Sequence, residues 1–439
     1  MIVHRYRRPA IVLALALFAL TNGYSSTSAA DEYNLRESFK PTLIINNYDQ
    51  AQYLAFVPYV ITTPGYYIVV DDLPFSPTAD GQAAIVVDSD NVIVDFNSSR
   101  LYAVSTPYVD LIGVYVAPNI EGVSIRSGTI NSLNGVGIYL DTGASDINIT
   151  NMEISDIAGG GILANGSTNI FLSDIITDSI DTTDSNFAYG FAFNNVNVIE
   201  ARNCSCNNNT ALNADAYGMF FNTCSAVRLT GCLANGHFSG FSSCLGYNIY
   251  NSTAFDIEAC SALANTTTGA STMAAGFLLN SCSSINIANT KSRAHSSSNG
   301  YAYGFVSSNG TANKFVNTEA TGNNGGVSGY GFSILGTDKQ AIISSSIISG
   351  NASPAGTAYG IFVDTPVTSL LANNNTIIDQ NNSATGYGIY DASGNATINN
   401  YFANFLLNDM NAFNFTSATV PVYTGPLSGT PGTYQNVSF

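Results

Sequence analysis

Four aspartates, Asp174, Asp178, Asp181 and Asp184, crowd into one short stretch of a chain that is otherwise sparing with charge. Carboxylate oxygens converging in a turn suit Ca²⁺, which takes 6–8 oxygen ligands. An acidic turn facing water is the plainer alternative. No other cofactor is implied. A second cluster is Lys291, Arg293 and His295, the one basic group in the body of the chain. On a strand these alternate residues share a face. Such a face could grip the carboxylate of a uronic acid, or supply a base for removing the proton beside it. The alternative is a polar strand edge paired with Glu319.

Composition limits the functions these groups could serve. Lys and Arg number 13 against 30 Asp and Glu, for a formal net charge of −17. Binding to the nucleic-acid backbone needs clustered cations, so nucleic acid is excluded as a partner. Hydrophobic residues make up 45% and aromatic residues 11%, which is too much apolar material for a disordered chain. Residues 1–30 read as a secretory signal peptide: Arg5, Arg7 and Arg8, then an apolar run to Leu20, then small residues at Ser28 and Ala30. That run is short for a bilayer span, and no later stretch is long and apolar enough. The expected location is secreted, extracellular or periplasmic, with no stable membrane span after signal cleavage.

The elements that must position the candidates come from a repeat. A glycine followed by an apolar residue recurs at Gly113, Gly137, Gly161, Gly190, Gly218, Gly246, Gly276, Gly304, Gly331, Gly360 and Gly388. The next residue is apolar every time, from Val114 and Ile138 through Phe277 and Phe305 to Ile389. Apolar residues two apart mark a strand with one buried face. A second alternating stretch follows, as in Ile285-Asn286-Ile287, and Asn, Ser, Thr and Gly fill the turns between. One such coil cannot bury its inner face alone, whereas stacked coils can. The predicted fold is all-β, a parallel β-solenoid of about 12 coils. Residues 31–55 are expected to cap it, 56–405 to form it, and 406–439 to make a C-terminal tail or cap.

Stacking turns sequence columns into neighbours. Cys204, Cys232 and Cys260 share one inward column, where parallel side chains favour free buried thiols over disulfides. Glu200, Arg228, Asp256, Asn286 and Lys314 share an outward one, which places Arg228 between two acids. Lys291 and Glu319 share another. His237, Asn265 and His295 stand in a column of turn residues, too widely spaced for the histidines to share a metal. Two residues after the glycine the side chain points outward, and there stand Tyr115, Tyr139, Phe220, Phe362 and Tyr390. Tyrosines such as Tyr189, Tyr217, Tyr303 and Tyr330 directly precede the glycine. A flat glycine strip bordered by rings would make a track for a linear glycan. The alternative is that the glycines serve the backbone and the rings stack for stability.

The strand starts at each glycine, Ile61-Thr62-Thr63-Pro64-Gly65-Tyr66-Tyr67-Ile68, and Asn91-Val92-Ile93-Val94-Asp95-Phe96-Asn97 resemble the right-handed parallel β-helix proteins of the pectin-lyase-like superfamily. The resemblance spans roughly residues 55–405 and implies the handedness. It implies little about reaction, because many chemistries share this scaffold. The Asn-Thr-Asp, His-Gly and Arg-x-Lys elements of polygalacturonase-like relatives are absent, and the one Asp-Asp pair, Asp71-Asp72, lies near the cap. A Trp-x-Asp-His element and an Asp-Pro-His motif are absent too. The sequence therefore points to a secreted or surface protein that binds a polysaccharide or cell-surface glycan, with Tyr115, Tyr139, Phe220, Lys291, Arg293 and His295 as ligand-binding candidates. A polysaccharide lyase or hydrolase acting on an acidic glycan, and a structural spacer, are the alternatives.

Overall fold

Short apolar alternations separated by Asn, Ser and Gly fold into strands that pair with the equivalent strand one coil away. In the computed structural model, residues 51–439 are described apart from 105–106, 184–185 and short stretches after 364. The expected signal peptide and nearly all of the expected cap lie outside the described residues. The described residues are all-β and their coils stack in parallel as a β-solenoid. The glycine-bearing strands form one sheet, in which Tyr139 pairs with Tyr115 and Leu163, and so on to Tyr390. The second alternating stretch of each coil forms the opposite sheet, where Glu200, Arg228, Asp256, Asn286 and Lys314 do stand rung above rung. Near the C-terminus Thr433–Asn436 instead pairs antiparallel with Phe405–Leu407 and Thr424–Pro426.

Corners explain the polar composition. The coil begun by Gly190 bends at four left-handed residues, Asn195, Val198, Asn203 and Asn208, with φ of 55°, 61°, 52° and 54°. The next coil bends at the equivalent Thr223, Ala226, Gly231 and Gly236. Asn, Asp and Gly reach this conformation most easily, so they accumulate in these columns.

The repeat glycines do something else. None of the eleven has a positive φ. Their missing side chain would point inward: a Cβ on Gly137 would lie 2.6 Å from Ile154 Cγ2, and one on Gly276 would overlap Ser292 Oγ. Glycine is required because the opposite wall of the coil passes so close, at a distance no real Cβ tolerates. This replaces the expected flat glycine strip: the glycines face the core.

The core is a set of ladders. Tyr247 stacks on Phe277 at 4.4 Å, Phe277 on Phe305 at 5.0 Å and Phe305 on Phe332 at 4.9 Å, all fully buried. The cysteines of the described chain are free and buried, including the three of the shared column, Cys204, Cys232 and Cys260. Their column also bonds along the axis, since the Cys232 N–H donates to Cys260 Sγ at 3.4 Å and the Cys260 N–H to Thr290 Oγ1 at 3.4 Å.

Candidate functional site

The corners decide where the acidic cluster goes. Asp174 is itself a corner residue, with φ of 57°, accepting from Ser173 Oγ at 2.6 Å and from Asn203 Nδ2 at 3.4 Å. Asp178 lies further along the same strand and accepts from Ser179 Oγ and Asn208 Nδ2, each at 2.9 Å. Ser179 is the next corner, and beyond it Asp181 pairs in register with Thr210. The three carboxylates thus leave the coil on successive sides of two bends. Asp184 lies outside the described residues. Among the described residues no group of three or more His, Cys, Asp and Glu is placed to hold a metal.

The basic cluster is also broken by a corner. Lys291 is exposed and Arg293 is ion-paired with Glu319. Ala294 then takes a φ of 59°, the alternation fails, and His295 turns into the core with no exposure. The expectation of one shared basic face is therefore corrected: Lys291 and Arg293 remain outside and His295 does not. Lys291 and Glu319 are register partners as expected, but it is Arg293 that takes the carboxylate. Glu200 likewise bonds Arg202, so Arg228 contacts only Asp256, at 4.0 Å.

His295 belongs to a buried polar ladder. The Asn265 N–H donates to His295 Nδ1 at 3.3 Å, and the Asn209 N–H donates to His237 Nδ1 at 3.2 Å. The His237 N–H donates in turn to Asn265 Oδ1 at 3.4 Å, and the His295 N–H to Asn323 Oδ1 at 3.4 Å. With Nδ1 accepting, the proton sits on Nε2. His295 Nε2 then donates to Ser292 Oγ at 3.0 Å, and Ser292 donates to the Gly304 carbonyl at 2.7 Å. His237 Nε2 has no partner. Burial pushes both imidazoles down to about 3, with the neighbouring His237 adding to the effect at His295. Both are neutral at physiological pH and shielded from any substrate.

What remains at the surface is the outer face of the glycine sheet. Because the glycine and the residue after it both face inward, the column before the glycine and the column two after it become adjacent outside. Tyr115, Tyr139, Leu163 and Phe220 are partly exposed there, as are Tyr189, Tyr303, Tyr359 and Tyr387 from the other column. Tyr217, Leu245 and Ala275 form a small buried patch outside the main core, with Tyr189, Phe220 and Leu278 against it.

Two kinds of ring arrangement divide this face. From Tyr303 the rings stack along the axis, at 4.5 Å to Tyr330, 4.9 Å to Tyr359 and 5.6 Å to Tyr387, with planes within 15° of parallel. Their faces are occupied by one another and only edges point out. Tyr115 and Tyr139 instead lie 5.6 Å apart at 45°, which leaves ring face available. Tyr115 donates to Asp141 Oδ2 at 2.5 Å. Desolvation, reinforced by that bond, pushes the Tyr115 hydroxyl up to about 12, and the same bond holds Asp141 below the usual carboxylate range.

A row of amides borders these rings. Asn222 Nδ2 donates to Asn194 Oδ1 at 3.4 Å, Asn194 to Asn165 Oδ1 at 3.0 Å, and Asn165 to Tyr139 Oη at 3.1 Å. Sequence reading passed over this row, although each asparagine stands four residues after its glycine and alignment on the glycines would have lined them up.

No family model matches the chain, and no curated protein matches it. Among solved structures it is similar to the periplasmic alginate epimerase AlgG, with 12% identity, 75% of this chain and 73% of that chain covered, and a TM-score of 0.42. It is similar to the A-module of the Azotobacter vinelandii mannuronan C-5 epimerase AlgE6, with 12% identity over 81% of this chain and 88% of that one, and a TM-score of 0.41. An exopolygalacturonase from Thermotoga maritima matches with 11% identity over 80% and 84%, and a TM-score of 0.27. Function has to be read from this chain's own side chains.

Proposed function

We propose that this chain is a secreted or surface β-solenoid that binds a linear glycan on the outer face of its glycine sheet and does not cut it. The observation that carries this reading is the tilted pair Tyr115 and Tyr139, partly exposed and held by Asp141 beside the amide row. Sugar rings present C–H faces to aromatic rings and hydroxyls to amides, and this face offers both within one or two rungs. Binding without turnover is supported by the histidines: both described ones are buried and neutral, so neither is a surface base.

The test is incubation of the secreted protein with a panel of neutral, acidic and cationic polysaccharides, with and without Ca²⁺. Retention on at least one glycan with no new reducing ends supports the reading. New reducing ends or unsaturated-uronate absorbance would overturn it in favour of a hydrolase or lyase. No retention on any glycan, with tyrosine-to-alanine variants as stable as the parent, would favour a structural spacer.

A further inference from the structure

Charge is distributed unevenly between the two sheets. Every described Lys and Arg, from Arg100 to Lys339, lies on the opposite sheet or the bridge flanking it. Five of these are already in ion pairs: Arg100 with Asp72, Arg126 with Asp95, Arg202 with Glu200, Arg228 with Asp256 and Arg293 with Glu319. The outer face of the glycine sheet has no cation among its described residues. It has acids instead, with Asp88 exposed next to the strand that pairs with Tyr115, and Asp141 bonded to Tyr115 and Tyr139.

We infer that the glycan bound over Tyr115, Tyr139, Leu163, Asn165 and Asn194 is an uncharged one, running along the solenoid axis with one sugar per rung. This rests on the glycan-binding reading and names its ligand class. A uronan or sulfated chain laid on this face would meet Asp88 and Asp141 with no counter-charge, on a protein of net charge −17. A cationic chain would find only Asp88, at the edge of the face, and Asp141, whose oxygens already accept from two tyrosines. Hydroxyls suit the amide row better. Each asparagine has two N–H groups and places one of them in the row, which leaves a second donor on each amide beside the rings. Rungs repeat at about 4.8 Å, close to the advance of one sugar in an extended chain, so that successive sugars meet equivalent ring and amide positions.

The experiment is calorimetric titration of the secreted protein with soluble neutral β-glucans, polygalacturonate and chitosan oligomers, each at low and high salt. Expected is binding of a neutral glycan with an affinity that changes less than about twofold with salt. Tyr139→Ala should weaken it about tenfold or more while leaving the circular dichroism spectrum unchanged. Leu163→Lys, which places a cation on the face, should add polygalacturonate binding. If only polygalacturonate or only chitosan binds, in a salt-sensitive way, the inference is overturned and the glycan-binding reading stands. If no glycan binds the folded protein, both are overturned.

Discussion

The coils begun by Gly113, Gly137 and Gly161 and those begun by Gly218, Gly246, Gly276 and Gly304 bend at the same corners but fill the interior differently. In the first group the residue after the glycine is Val114, Ile138 or Ile162, and the wall facing the glycine is Ile130, Ile154 or Thr177. In the second group the residue is Met219, Tyr247, Phe277 or Phe305, and the facing wall shrinks to Ala234, Ala262, Ser292 or Ala320. Across these seven coils a large side chain on one wall is matched by a small one on the other, whereas the coil begun by Gly331 carries both Phe332 and Ile348.

The corners differ in the same way. Leu133, Ile157 and Ile180 stand where Asn209, His237, Asn265 and His295 stand later. In the early coils the strand runs unbroken through the bend, as Glu121–Leu133, Ser145–Ile157 and Thr168–Thr182, with Ile157 paired backbone to backbone on both sides. In the later coils the strand breaks into pieces such as Ser225–Thr230, Leu233–Asn235 and Phe238–Ser239. The freed N–H groups are taken by side chains of the next rung. A polar corner replaces a ladder bond, so a broken strand here marks a change of hydrogen-bond partner.

Exchanging features between the two groups tests this directly. Ala262→Ile puts an early-type wall against the late-type Tyr247 and should cost more than about 3 kcal/mol in urea unfolding, while Ile154→Ala should cost about 3 kcal/mol by leaving a cavity. If Ala262→Ile is neutral, volume matching is not what the columns record. Asn265→Leu brings an early-type corner into the later ladder. It strands the His237 N–H and the Ala275 carbonyl, for a loss of roughly 2–3 kcal/mol. An unchanged urea midpoint would show that these bonds are dispensable.

The polar ladder also makes the later coils acid-sensitive. Its histidines are held near 3 against an ordinary 6.5, so the folded state excludes a proton that the unfolded chain takes up. Their neutral form stabilises the fold above about 6.5, and that contribution is lost as pH falls toward 3. Between pH 7 and pH 5.5 the two together should cost about 2.5 kcal/mol. Hydrogen exchange should show the loss in the coils holding His237 and His295 before those holding Ile157; simultaneous loss would contradict the distinction. The smallest effect concerns the unpartnered His237 Nε2. Ala234 occupies the place that Ser292 holds beneath His295, so Ala234→Ser should supply the missing acceptor and stabilise by about 1 kcal/mol. A destabilised variant would mean that this rung has no room for the hydroxyl.

Periodicity made the stack legible because every side chain in a solenoid meets its own equivalents one coil away. The spacing of the glycines therefore anticipated the register of Glu200 through Lys314, the buried thiols and the outward tyrosines. Alternation was a poor guide wherever a corner intervened. Asp174, Asp178 and Asp181 are close in sequence but divided by bends, and the single left-handed Ala294 sends His295 inward from beside Arg293. Alanine gives no hint of a left-handed corner, since only the neighbouring rungs hold it there. The glycines were found as a column, but their reason lies across the interior, in Ile154 and Ser292 of the opposing wall.

By itself, then, the order of residues determined the all-β class, the stacking and which positions share a column. These follow from short-range alternation repeated at a near-constant interval, and any chain bearing that pattern must stack to hide its inner face. The tertiary structure decided which columns face inward at the corners, which rings keep a free face, and that all described cations lie on one sheet or the bridge flanking it. Those outcomes depend on how the walls of a coil approach each other, a distance set by packing between residues far apart along the chain.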